Sequence, residues 1–276
     1  MLETKDLTIR FGGHVAVNAV SCAFAPGTLT AIVGPNGAGK TTYFNLISGQ
    51  LKASSGTVLL GGRDISGLGV SARTHAGLGR AFQLTNLFPN LSVLENVRLA
   101  VQATRAGSHR HGLNLWSIWS DHHDLTRRAD EILVAVAMKE KENATVASLP
   151  HGDQRKLEVA LLMALEPSVF MFDEPTAGMS LDEAPVILNL IRALKKDRST
   201  TILLVEHKLD VVRELADRII VLHNGALVAD GEPSEVIASK VVQEAYLGVS
   251  PQDASELAGA KPDAAPSAPG AGSAAP

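Results

Sequence analysis

The sequence has a single cysteine, few aromatic residues and no long apolar stretch. Because Cys22 stands alone among 276 residues, an intrachain disulfide and a multi-cysteine metal site are excluded, and a reducing compartment is favoured. The longest purely apolar run, residues 159–165, has seven residues, whereas a bilayer span needs about 18. Residues 1–10 carry charges where a signal peptide would be apolar. We therefore expect a cytoplasmic chain that reaches the inner face of a membrane only through partners.

A large excess of charge of one sign is also missing. The 25 basic and 29 acidic residues give a net charge of −4, and no long Lys/Arg block is present, which argues against nucleic acid as a partner. Residues 251–276 contain nine alanines and five prolines with almost no large apolar side chain. Such a segment cannot bury enough surface to fold, so we predict a disordered tail after a folded unit that spans residues 1–250.

Three continuous apolar runs, residues 29–33, 168–172 and 201–205, are typical of buried strands. They alternate with helical stretches, a rhythm that predicts an α/β fold with a largely parallel sheet. Residues 84–166 are mostly helical in pattern and predict a separate helical subdomain, while Asn224-Gly225 predicts a β-hairpin turn. Each apolar run ends at a polar cluster. Ligands bind outside the carboxyl ends of parallel strands, so we expect the three clusters to meet at one site.

The strongest motif follows the first of these runs. Residues 34–42, GPNGAGKTT, fit the P-loop pattern G-x-x-x-x-G-K-[ST] between a strand and an apolar helical run. Glycines let backbone N–H groups approach a phosphate closely, and the following helix presents its positive end. Lys40 supplies a charge for the terminal phosphates, and the Thr41 hydroxyl is a Mg²⁺ ligand. The predicted nucleotide-binding residues are Asn36, Gly37, Ala38, Gly39, Lys40, Thr41 and Thr42.

Two carboxylates, Asp173 and Glu174, follow the second apolar run. A strand-end aspartate beside a P-loop belongs to the Mg²⁺ shell, so Asp173 joins Thr41 as a predicted metal ligand. Glu174 is placed to accept a proton from an attacking water. The Asn-Lys-x-Asp pattern that specifies guanine is missing, which favours ATP over GTP as the nucleotide.

Together these motifs resemble the nucleotide-binding subunits of ATP-binding cassette (ABC) transporters, from about residue 11 to residue 248. The resemblance implies a P-loop NTPase (RecA-like) core with a mixed, largely parallel sheet, an N-terminal antiparallel β subdomain and an inserted helical subdomain. It also implies ATP hydrolysis with ATP and Mg²⁺ as cofactors. The implied partners are a second ABC ATPase subunit, transmembrane permease subunits and, indirectly, a solute-binding protein.

The same resemblance implies roles for further residues. Phe11 is expected to stack on adenine, with Val17 packed beside it. Gln83 resembles the glutamine that reaches Mg²⁺ and the attacking water, and is counted with Glu174 among the catalytic residues. His207 resembles the histidine that contacts the γ-phosphate and is also counted among the catalytic residues. Residues 177–180 occupy the loop that meets the other subunit.

The family's signature, Leu-Ser-Gly-Gly-Gln, is replaced here by LPHGD at residues 149–153. In the family, this segment binds the γ-phosphate held by the opposite subunit, and Pro150, His151, Gly152 and Asp153 occupy that position. Pro150 suits the first turn of a helix but offers neither hydroxyl nor N–H, and Asp153 brings a negative charge. Losing a charge-assisted hydrogen bond costs roughly 1.5–3 kcal/mol, about ten- to a hundredfold in rate. We expect a slow composite site and a second ATPase that is a different chain, with a homodimer as the alternative.

Several stretches most resemble the subunits of branched-chain amino acid importers and their urea and short-chain amide relatives. These stretches are residues 7–13, 82–88, 206–212 and 245–248. Other functions remain open at this point: the ATPase subunit of another ABC transporter, a soluble cassette protein of DNA repair or translation, and a weakly hydrolysing regulator or scaffold. The single cassette without heptads disfavours the repair and translation proteins.

Overall fold

The computed structural model describes residues 1–81, 87–108, 123–180, 182–240 and 242. Its strands are β1 Leu2–Phe11, β2 His14–Phe24, β3 Leu29–Val33, β4 Ser55–Leu60, β5 Arg63–Asp64, β6 Leu78–Ala81, β7 Val169–Asp173, β8 Thr201–Val205, β9 Arg218–His223 and β10 Ala226–Gly231. Its helices are α1 Lys40–Ser48, α2 Val70–His75, α3 Val93–Ser108, α4 His123–Ala135, α5 His151–Ala164, α6 Ala184–Lys195, α7 Leu209–Leu215 and α8 Pro233–Ala238. The predicted catalytic Gln83 and the predicted tail lie outside the described residues.

The chain forms two sheets. The first is antiparallel, with strand order β2-β1-β4-β5, which confirms the N-terminal antiparallel β subdomain. The second has the order β10-β9-β3-β8-β7-β6. Its strands from β9 to β6 pair in parallel, and only β10 is antiparallel to its neighbour. The mixed, largely parallel sheet is therefore confirmed.

The strands of the second sheet follow the predicted apolar runs closely. β3 and β8 have the predicted bounds, β7 is shifted by one residue, and all three are buried along their whole length. Asn224 and Gly225, at the tip of the β9–β10 hairpin, have φ values of 48° and 77°. Both residues thus adopt the left-handed conformation that a tight hairpin turn needs, and this prediction is also confirmed.

Helix α1 lies in a core between the two sheets. Its fully buried Tyr43 and Phe44 pack with Phe24 of the antiparallel sheet and with Ile32 and Met171 of the parallel sheet. This packing fixes the start of α1 at the carboxyl edge of β3, where the P-loop ends.

The helices α3, α4 and α5 contact one another and lie within the predicted helical subdomain, whose boundaries at 84 and 166 remain a prediction. Their apolar side chains belong to the same core as Phe170, Phe172 and Leu204 of the parallel sheet. The helical block is thus continuous with the sheet core. Throughout the described ranges, every helix is too short or too polar to cross a bilayer.

Candidate active site

The P-loop, residues 34–42, connects β3 to α1 and requires glycine where it passes under β2. Gly39 precedes α1 with a φ of 96°, and a Cβ built there would lie 2.5 Å from the carbonyl oxygen of Ala16. Any larger residue would clash with backbone, so the loop keeps this path only with glycine. The Gly225 N–H donates to the carbonyl of Ala38 at 3.0 Å, which ties the loop to the β9–β10 hairpin.

Lys40 is held inside this loop. Its side chain is buried, with the residue 6% exposed, and Nζ donates to the carbonyl oxygens of Gly34 at 2.6 Å and Pro35 at 3.0 Å. Burial lowers the pKa of Lys40, while the nearby carboxylates of Glu174 and Asp173 act to raise it. The loop therefore positions a desolvated ammonium group before any ligand arrives.

A cavity of about 260 Å³ opens above the P-loop. It brings together the ends of β3, β7 and β8, as the strand-end argument predicts. The predicted residues that line it are Asn36, Gly37, Ala38, Gly39, Lys40, Thr41, Thr42, Glu174 and His207. His14 and Ala16 of β2 also line it; sequence reasoning missed both, because their place depends on how the two sheets meet.

Glu174 and His207 form a hydrogen-bonded pair on one wall of this cavity. The distance from His207 Nε2 to Glu174 Oε1 is 2.6 Å, and both side chains are about two-fifths exposed. Glu174 has a φ of 50°, in the left-handed region that disfavours side chains. Its N–H donates to the carbonyl of Val205 at 2.9 Å. This strained backbone aims the carboxylate into the cavity, where it can orient a water.

Asp173 has a partner that the sequence did not reveal. Its Oδ2 lies 2.7 Å from Nη2 of Arg80, and the two side chains are only 7% and 6% exposed. Arg80 is on β6, next to β7 in the sheet. In the sequence, the signal that could have pointed to this partner was an arginine between two small residues in a short strand, three positions before Gln83.

The residues present fit a Mg²⁺ ion. Thr41 is exposed at the first turn of α1 and carries a hydroxyl, and Asp173 offers a carboxylate at the end of β7. Hard oxygen donors of this kind suit Mg²⁺. The third predicted ligand, Gln83, is outside the described residues, so the metal site stays a prediction.

The two predicted adenine contacts, Phe11 and Val17, differ in their exposure. Phe11 is 51% exposed at the end of β1, so its ring is accessible, and its stacking role stays a prediction. Val17 is fully buried and packs in the core between the two sheets. Its place beside the adenine contact stays a prediction. The neighbouring Ala16 of β2 lines the cavity.

The signature residues lie apart from this cavity, whose lining does not include them. Pro150 is the N-cap of α5 and makes no side-chain cap hydrogen bond. It thus stands one position before the first turn in which we expected it. His151 and Gly152 open the helix.

Asp153 differs from our expectation of a negative charge facing a polyanion. Its carboxylate is buried and bonds to the amines of Lys141 and Lys156, the second at 3.1 Å. Burial acts to raise the pKa of Asp153, but the hydrogen bonds from the two lysines outweigh it and lower the pKa. The charge is present and is balanced within the chain.

Comparison with known proteins identifies the family. The family model described as ABC transporter matches residues 17–177, and the branched-chain amino acid transport ATP-binding protein LivG of Escherichia coli is 36% identical over 249 residues. The chain belongs to the ABC transporter family. The match with LivG covers 90% of this chain and 98% of LivG. BraF of Pseudomonas aeruginosa, of the same description, is 34% identical with the same coverage.

Solved structures agree with this family. A nucleotide-free ATP-binding cassette of an ABC transporter superposes with a TM-score of 0.75 at 28% identity, over 90% of this chain and 99% of the relative. A cassette in its ADP conformation has the same score and coverage at 29% identity. The cassette thus has the ATPase fold of its family, with the P-loop, Glu174 and His207 around one cavity.

Proposed function

We propose that this cassette energises a membrane importer for branched-chain amino acids or for a related amide or urea solute. The observation that carries the ATPase part is the cavity that gathers the P-loop, Glu174 and His207. The similarity to LivG and BraF, which are branched-chain amino acid transport ATP-binding proteins, supports the solute class. The position on the inner face of the membrane, through permease subunits, belongs to the same proposal.

In the proposed reaction, water attacks the γ-phosphorus of ATP and the bond from that phosphorus to the bridging oxygen breaks. The P-loop amides and Lys40 hold the phosphates, and Glu174 orients the water and takes its proton. His207 Nε2 bonds Glu174 in the structure and is placed to meet the γ-phosphate at the same wall. When bound, Mg²⁺ neutralises phosphate charge, and Thr41, Asp173 and Gln83 are the residues proposed to hold it.

The proposed partner is a second ATPase subunit that faces this one head to tail, so that residues 150–153 of each chain meet the nucleotide of the other. A solved cassette of the family, 25% identical with a TM-score of 0.71, is dimeric with ADP and phosphate bound. Because Pro150 supplies no hydroxyl, we infer that the second subunit is a different chain with a complete signature. Permease subunits and a solute-binding protein complete the proposed assembly.

The variant Glu174→Gln tests the proposed base. The amide keeps the shape of the carboxylate but cannot accept a proton, so we expect the rate of phosphate release to fall by a factor of about 10² to 10⁴, with MgATP affinity retained in calorimetry. Glu166→Gln, which alters an exposed acid outside the cavity, should leave both quantities unchanged. Hydrolysis in Glu174→Gln at the wild-type rate contradicts the assignment of Glu174 as base.

A second candidate function, a weakly hydrolysing regulator, is favoured by the missing hydroxyl at Pro150. Steady-state phosphate release from the complete assembly separates the two functions, because an importer subunit must turn over when solute is supplied. Capture of permease subunits from detergent-solubilised membranes supports the importer. If this cassette is recovered without them, the transport proposal fails while the ATPase assignment stands.

A further inference from the structure

The strongest feature that the proposed reaction does not use is the arginine beside Asp173. Arg80 and Asp173 form a nearly fully buried ion pair at the point where the proposed Mg²⁺ site begins. A buried charge is costly unless it is paired, so each member of this pair depends on the other or on another polar group. The other contacts of Arg80 show whether the guanidinium or the carboxylate of Asp173 is free to change partner.

Arg80 is anchored independently of Asp173. Its Nη1 donates to three acceptors at and after the end of α1: Asn45 Oδ1 at 2.7 Å, Ser48 Oγ at 2.9 Å and Gln50 Oε1 at 3.0 Å. The guanidinium carbon also lies 5.3 Å from the ring centroid of Phe44, a cation–π contact. The cation therefore stays at this place whether or not Asp173 has another ligand.

Arg80 already compensates the charge of Asp173 without nucleotide. Lys40, on which the carboxylates of Glu174 and Asp173 act electrostatically, is a second cation at this edge of the sheet, and Glu206, buried just after β8, is a third carboxylate. A divalent ion that entered alone would meet a fixed guanidinium already bonded to Oδ2 of Asp173. The triphosphate brings further negative charge for the divalent ion.

From this arrangement we infer that Arg80 is a positioning residue that keeps divalent metal off Asp173 until a triphosphate is bound. It holds one carboxylate oxygen in place and supplies a built-in counter-charge. Metal binding then becomes conditional on nucleotide, and the ion enters as MgATP. This inference rests on the proposed metal site and adds to it the order in which the ligands bind.

The test uses the purified protein without nucleotide and Mn²⁺ as the probe, with free Mn²⁺ followed by electron paramagnetic resonance. Arg80→Gln removes the charge but keeps a hydrogen-bonding group. Removing one positive charge a few ångström from a divalent ion should tighten nucleotide-free Mn²⁺ binding by at least about tenfold. Arg80→Lys keeps the charge and should bind Mn²⁺ as weakly as the wild type.

Arg73 provides a matched control. It is also buried, and within the described residues its guanidinium donates to carbonyl oxygens, those of Leu46, Ile47, Ser66 and Leu68. Arg73→Gln therefore removes a buried guanidinium that is not bonded to Asp173, and nucleotide-free Mn²⁺ affinity should stay at the wild-type value. In the double variant Arg80→Gln/Asp173→Asn, the gain in Mn²⁺ affinity should disappear.

Unchanged Mn²⁺ affinity in a folded Arg80→Gln variant overturns the inference. If that variant does not fold, the wild type still decides: nucleotide-free Mn²⁺ binding that is as tight as binding with ATP, and that Asp173→Asn removes, also overturns it. The proposed metal site fails separately, if Asp173→Asn binds Mn²⁺ with ATP as tightly as the wild type does.

Discussion

In the P-loop a buried lysine is held by two carbonyl oxygens, whereas at the start of α5 a buried aspartate is held by two lysines. Lys40 is already desolvated and lines the cavity, so an incoming phosphate replaces weak carbonyl acceptors with a strong one. The charge of Asp153 is neutralised by two lysines of the same chain. What remains at the signature for an anion is the backbone of the first turn of α5.

The P-loop and residues 149–153 thus follow the family's sequence pattern to different degrees. The P-loop keeps every group that the chemistry requires. The signature keeps the helix start and Gly152 but has no hydroxyl, and its acid is neutralised. We therefore expect substitutions in the P-loop to affect nucleotide binding itself, and substitutions in the signature to change the rate of the assembled pair or the stability of the helical block.

The largest effect is expected from Lys40→Met. The change removes the ammonium group but keeps an unbranched, buried side chain, so ATP affinity and phosphate release should each fall by about a hundredfold or more. The thermal unfolding midpoint should change little, because Lys40 has only carbonyl acceptors to lose. Lys195→Met removes a lysine that bonds the carbonyl of Leu215 and should leave ATP affinity unchanged. ATP affinity in Lys40→Met equal to that of the wild type would show that the P-loop reading is wrong.

An intermediate effect is expected from Pro150→Ser. A serine restores a hydroxyl at the N-cap of α5, where it can reach the partner's γ-phosphate, and turnover of the assembled pair should rise by about ten- to a hundredfold. Pro150→Ala removes the ring without adding the hydroxyl and should stay near the wild-type rate. An equal rise in both variants would assign the effect to backbone freedom, and no rise in either would make the missing hydroxyl irrelevant.

The smallest effect on activity is expected from Asp153→Asn, which acts on stability. The two lysines lower the pKa of Asp153 in the folded chain, so its stabilising contribution is complete above the unfolded pKa and is lost as the pH falls through the folded pKa. At neutral pH the variant should lose about 1–3 kcal/mol in free energy of unfolding. The gap from the wild type should begin to narrow below about pH 4, the ordinary range of an aspartate, and should close as the pH falls through the lowered folded pKa, as followed by chemical denaturation at a series of pH values. A gap that is constant with pH would contradict the ion-pair explanation.

The sequence was sufficient wherever the signal is local. β3 and β8 were predicted with their observed bounds because a continuous apolar run buried on both faces has clear ends. The P-loop is equally local, because its glycines and its lysine lie within nine residues. The meeting of Glu174 and His207 followed from parallel strands that end at one edge.

The rest depended on contacts between distant parts of the chain. Arg80 and Asp173 are 93 residues apart in sequence, and nothing in the local pattern pairs them. Val17 lies in a strand whose inward face is decided by how the antiparallel sheet packs on α1. Asp153 meets Lys141 across the turn before α5, so its charge balance could not be read from the signature alone.

The left-handed backbone of Glu174 carries a lasting cost. A side chain in this conformation costs roughly 1–2 kcal/mol, whereas glycine adopts the same conformation without that cost. Glu174→Gly should therefore raise the free energy of unfolding while it removes the proposed base. At this position, selection for activity favours glutamate, whereas selection for stability favours glycine. An effort to stabilise the protein by substitution should therefore leave Glu174 unchanged.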